Sequence, residues 1–165
     1  MRNRLAKKLA EHEETMAVLD KLLGRCLNGS RAALQENSAI DHHILLLSGS
    51  TKQPEITPFV MTFETEADKA PLIEHLKALI QEYKAWGYLI VYEVWLAEKS
   101  GQTQSAHPPE RREALVVAVI THDRRRGTAA VFERRGEQIV FTEDIAIGPD
   151  VELLGRFATL LSLKK

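Results

Sequence analysis

Leu5, Leu9, Met16, Leu19, Leu22, Leu23 and Cys26 recur at helical spacing, with Glu11, Glu13, Glu14, Asp20 and Lys21 mostly between them. The pattern predicts a long amphipathic N-terminal helix over residues 3–27, stopped by Asn28-Gly29. Ser30 is placed to cap a short second helical piece running to about Gln35. Residues 40–47 read as a strand whose core, Ile44 to Leu47, is apolar on both faces, as a central strand is. Residues 56–63 read as a second strand in which Phe59, Met61 and Phe63 share one face. Pro58 has no N–H to give a ladder, so this strand belongs at a sheet edge or starts after it.

Leu72, Ile73, Leu76, Leu79, Ile80 and Tyr83 form one stripe of a helix over 69–86, opened by Thr65 or Asp68. With Asp68 as the cap, Pro71 falls in the first turn, where its missing N–H costs nothing; Gly87 then takes the left-handed position after the last turn. Residues 88–96 read as a strand buried on both faces. Three more follow at 114–121 (starting at Glu113 or Ala114), 128–134 and 138–145, joined by Arg-rich, Gly-containing turns. Val151, Leu153, Leu154, Phe157, Leu160 and Leu161 mark a C-terminal helix.

This order predicts an α+β fold. It has a largely antiparallel sheet of about six strands, with the N-terminal, central and C-terminal helices packed on one face. The stretch 56–96 is a possible strand–helix–strand crossover, which makes one strand pair parallel.

Composition narrows the class. The chain has 165 residues, 44% apolar and 27% charged, with a formal net charge of −1. One domain over residues 1–165 is expected, with a core large enough to need no metal or disulfide. Cys26 is the single cysteine, and the basic Met1-Arg-Asn-Arg start leads into alternating charges rather than an apolar signal segment. Both favour a reducing, cytoplasmic setting. The longest apolar run, Tyr88 to Leu96, is broken by Glu93 and falls far short of the ~20 residues a membrane helix needs. The balanced charge argues against a dedicated nucleic-acid binder.

Chemistry-bearing residues gather around one feature, the 16-residue polar connection from Ala97 to Arg112. Connections this long are usually either functional or unstructured. Its His107, Glu110 and Arg112 stand beside Glu93, Trp95 and Glu113 as candidate ligand-binding groups. On a strand, Glu93 shares a face with Val91 and Trp95, where a carboxylate needs a partner; Arg111, Arg112 and His122 are the conceivable ones. His122 and Asp123 lie at the far end of an eight-residue strand, roughly 25 Å away, so no triad can use all these groups.

Arg124, Arg125, Arg126, Arg134 and Arg135 mark successive hairpin turns and are the candidate nucleic-acid contacts. Successive turns lie at opposite sheet ends, and no exposed aromatic set accompanies them. His42 and His43 are adjacent and point to opposite faces, so they cannot readily hold one ion. Cys26, near the expected helix C-terminus, sits where a thiolate is disfavoured. No metal-ligand spacing, phosphate loop or nucleophile elbow occurs, and no metal or cofactor is expected.

The segment Tyr88-Leu-Ile-Val-Tyr-Glu-Val-Trp95, the polar connection and Pro109-Glu-Arg-Arg-Glu113-Ala-Leu-Val-Val together resemble small uncharacterised bacterial and phage proteins. Those share a strand bearing a Trp, a Pro-containing loop and an Arg-Glu-led return strand. The resemblance covers about a third of the chain. It implies a shared structural element around Trp95, Arg112 and Glu113, and no activity.

A sequence complete for folding but without a chemical motif reads first as a non-enzymatic binding or assembly module, forming a homodimer through its long helix or an edge strand. The alternative is a small-ligand receptor or enzyme with its pocket under the 97–112 connection, Arg112 holding an anion and Glu93 or Glu113 acting as acid or base. A third reading is nucleic-acid binding through the basic turns.

Overall fold

The structure, a computed structural model, describes residues 2–97, 111–148 and 160–161. Helix α1 (Arg2–Asn37) is followed by β1 (His43–Gly49), β2 (Pro54–Val60), α2 (Glu66–Glu82), β3 (Gly87–Ala97), β4 (Arg111–Thr121), β5 (Arg125–Arg135) and β6 (Gln138–Ile147). The strands form one open sheet in the order β2-β1-β3-β4-β5-β6, antiparallel throughout. The fold is therefore α+β, with a six-stranded antiparallel sheet and two helices among the described residues. The C-terminal helix expected over 151–161 lies outside the described residues, except that Leu160 and Leu161 are buried in the sheet's core.

The expected parallel pair does not form. β2 and β3 run in the same direction, but β1 lies between them and pairs antiparallel with both. The helices also do not share a face. Ile73, Leu76 and Ile80 of α2 pack with Ile44, Leu46, Ile90, Val116 and Val131. Leu19, Leu23 and Leu34 of α1 pack with Leu47, Leu89, Val91, Leu115 and Phe132. Alternation along each strand gives the sheet two apolar faces, and one helix covers each.

Asn28-Gly29 does not stop α1, which runs unbroken for 36 residues, about 54 Å. A helical glycine costs about 1 kcal/mol against alanine, less than the burial of Leu23 and Leu34 on either side of it returns. The helix ends instead at Ser38, whose φ of 61° is left-handed and whose N–H reaches the Leu34 carbonyl at 2.8 Å.

Thr65 caps α2 in a reciprocal box with Asp68. Pro71 consequently sits past the first turn, inside the helix. Gly87 is not the helix terminator. Lys84 takes the left-handed position (φ 51°), its N–H bonding the Gln81 carbonyl and that of Ala85 the Ile80 carbonyl. Gly87 opens β3, where a Cβ would come within 3.2 Å of the Ile120 carbonyl oxygen.

β2 is an edge strand that runs through Pro58, the first of the two alternatives its missing N–H left. The Met61 N–H bonds the His42 carbonyl at 2.7 Å, and stepping by two in the register leaves Pro54, Ile56, Pro58 and Val60 facing outward. Two of those four lack an N–H, which blunts the edge against strand addition. On the other edge, the β5–β6 ladder shifts register at Val131/Phe132.

Candidate functional site

Two-residue alternation puts Leu89, Val91, Glu93 and Trp95 of β3 on the α1 side of the sheet. Leu89 and Val91 lie under the helix, Glu93 is half-buried, and Trp95 emerges 64% exposed. Trp95 pairs with Glu113, and Glu113 with Phe132, so Arg134, two residues beyond Phe132, is the diagonal neighbour of Glu113. The Arg134 Nε lies 3.1 Å from both Glu113 carboxylate oxygens, and its Nη2 lies 3.4 Å from Glu93 Oε2. Its Nη1 donates to the Ser38 carbonyl at 2.7 Å.

The same cluster fastens the chain between α1 and β1. Glu93 Oε1 accepts the Ile40 N–H at 3.2 Å. Beyond the start of β1 the Glu93 N–H has no strand partner, and the His42 ring Nε2 accepts it at 3.2 Å. His42 also packs on Phe63 and Tyr92. Burial pushes its pKa below the usual imidazole value, opposed by the nearby Glu93 carboxylate, so the ring is neutral and free to accept near pH 7.

Of the six candidate ligand-binding residues, Glu93, Trp95 and Glu113 therefore share a face. Arg112 does not: it lies on the α2 side and pairs with Glu143 at 2.7 Å. His107 and Glu110 lie outside the described residues. The partner of Glu93 is neither Arg112 nor His122, which sits just past the opposite end of β4, but Arg134; the Arg111 side chain lies outside what is described.

Arg134 thus acts as a pin between two carboxylates and the end of α1. Both carboxylates are committed to it. A cleft of about 540 Å³ at this end is lined by Arg112, Glu113, Phe132, Arg134 and Thr142, without Trp95 or Glu93.

The remaining arginines are separated and mostly paired within the chain. Arg124 meets His12 at 2.6 Å, Arg126 meets Asp20 at 2.9 Å, and Arg135 meets Glu133 at 2.9 Å. Arg125 is half-buried. The 124–126 and 134–135 sets stand at opposite ends of β5, roughly 30 Å apart. A cleft of about 620 Å³ lies by the first set, lined by Thr121, Arg124, Arg125, Arg126 and Ile147.

A third, open cleft of about 640 Å³ separates α1 (Arg25, Cys26, Ser30, Ala33) from Ile40 and His43. Cys26 is mid-helix rather than near a terminus. Burial raises its pKa, with a hydrogen bond from Ser30 opposing, so the thiol stays protonated and unreactive. Among the described residues no cluster of three His, Cys, Asp or Glu side chains is placed to hold a metal ion. Also among them, no helix is long and apolar enough to cross a membrane.

Arg134 was grouped with the nucleic-acid candidates in the sequence. Only the β4–β5 register, which brings it diagonal to Glu113, points to its partnership. Comparisons with protein-family models, curated proteins and solved structures return no match.

Proposed function

We propose that the chain is a non-enzymatic binding or assembly module that forms a homodimer in the cytoplasm. One observation carries this reading: every described side chain of α1 from Arg4 to Glu14 is exposed, including Leu5 at 67% and Leu9 at 57%. His12 reaches Arg124 and Glu14 reaches Lys52, both in turns at the strand ends. The turns of α1 before them therefore run past the sheet. A free helical end of this length is marginal in water, and its apolar face favours a partner.

A catalytic reading has less support, because Glu93 and Glu113 are bound to Arg134 and Arg112 lies across the sheet. The separation and pairing of the arginines weighs against a nucleic-acid surface. The likeness of the β3–β4 hairpin to small bacterial and phage proteins, and a helix over 151–161 ending in the buried Leu160 and Leu161, belong to the same proposal.

Multi-angle light scattering over a dilution series from about 200 µM to about 1 µM tests the dimer. A mass near twice 18.6 kDa at the top of the series supports it. A monomer mass throughout overturns it.

A further inference from the structure

The self-association proposed above leaves its geometry open, and the first turns of α1 supply one. We propose that two copies pair these turns side by side in antiparallel sense, through the face carrying Leu5, Leu9, His12 and Met16. This rests on the assembly reading.

The stripe Leu5, Leu9, His12, Met16, Leu19, Leu23 advances in alternating steps of four and three residues, the seam spacing of paired helices. From Leu19 onward the sheet covers it, and ahead of His12 the same face continues uncovered. The occupant is a second copy because the charge along this segment is divided. Arg4, Lys7 and Lys8 come first, then Glu11, Glu13 and Glu14.

A parallel pair sets basic turn against basic turn and acidic against acidic. An antiparallel pair sets each basic turn against the partner's acidic one. With Leu5 of one copy beside the half-exposed Met16 of the other, and Leu9 beside His12, the flanking Lys8 comes level with the partner's flanking Glu13, while Lys7 and Glu14 lie behind the stripe and Glu14 stays with its own Lys52. The sheet edges compete poorly for a second copy. β2 offers only two outward N–H groups, and β6 is bulged and tied down by the Arg31–Asp144 and Arg112–Glu143 pairs.

The contact is about four helical turns, below the size of a standard interface, so a dissociation constant on the order of micromolar is expected. Sedimentation velocity on the full chain, its Leu5→Ser/Leu9→Ser variant and charge variants tests the arrangement. The serine pair weakens association at least about tenfold while the melting temperature of the dilute protein stays put, since both leucines are exposed. Lys8→Glu weakens it by about fivefold. Adding Glu13→Lys to that variant restores wild-type association, because the attraction is reinstated with its sign reversed.

A dimer indifferent to the serine pair overturns this inference and leaves the assembly reading standing. A dimer lost with the serines but unmoved by Lys8→Glu overturns the antiparallel arrangement. A wild-type chain monomeric up to about 200 µM overturns both.

Discussion

The two parts of α1 carry one stripe in two environments. From Met16 to Leu34 the stripe is packed into the core it shares with β1, β3, β4 and β5. From Leu5 to His12 it faces water. The residue types differ little across that boundary, so the helix is not held by its own propensity alone. Tertiary burial holds the second part, and the first part propagates from it, since extending a helix is far easier than starting one. Stability and association should accordingly separate along a single helix.

The largest expected effect lies in the buried part. Leu34→Ala removes a fully buried side chain and should cost about 2–5 kcal/mol in urea unfolding, whereas Leu9→Ala should leave the midpoint of the dilute chain within about 0.5 kcal/mol. Equal losses at the two positions would erase the division.

Next is the pin at the helix's far end. Arg134→Ala leaves two half-buried carboxylates without their cation and the Ser38 carbonyl without its donor. A loss of about 1–3 kcal/mol should follow, read by the same unfolding curve, with association unchanged.

A gain is expected at the end of α2. Lys84 occupies a left-handed position, so Lys84→Gly should stabilise by about 0.5–1 kcal/mol, checked by thermal melting.

The smallest effect is the acid response of His42. Its folded pKa is depressed, so the unfolded chain takes up the proton first. Its contribution is whole above the unfolded value near 6.5 and declines as pH falls from there towards the folded value. His42→Gln keeps an acceptor for the Glu93 N–H and should flatten that part of the stability–pH curve.

Where a single period dominates, the sequence is legible. The α2 stripe, the β3–β6 hairpins and the edge position of β2 all follow from local pattern, turn glycines or the missing N–H of Pro58. Phe59, Met61 and Phe63 do share the α2 side, although the strand ends at Val60.

Punctuation misled where tertiary packing outweighs it. Asn28-Gly29 lies within α1 because Leu23 and Leu34 anchor the helix on both sides, and Lys84 does the work expected of Gly87 because β3 needs a residue without a side chain at its start. At the candidate site, the shared face of Glu93, Trp95 and Glu113 follows from strand alternation and hairpin closure. Their cation did not, because placing Arg134 beside Glu93 needs the register of three strands at once.

An association surface at the exposed start of α1 makes the exchange of its amides depend on concentration, and amide hydrogen exchange followed segment by segment at two protein concentrations reads this out. Amides of residues 4–14 should exchange fast at about 1 µM and become protected at about 200 µM, while those of β3 and β4 stay protected at both. Fast exchange of 4–14 at both concentrations, or new protection confined to another surface, would contradict it.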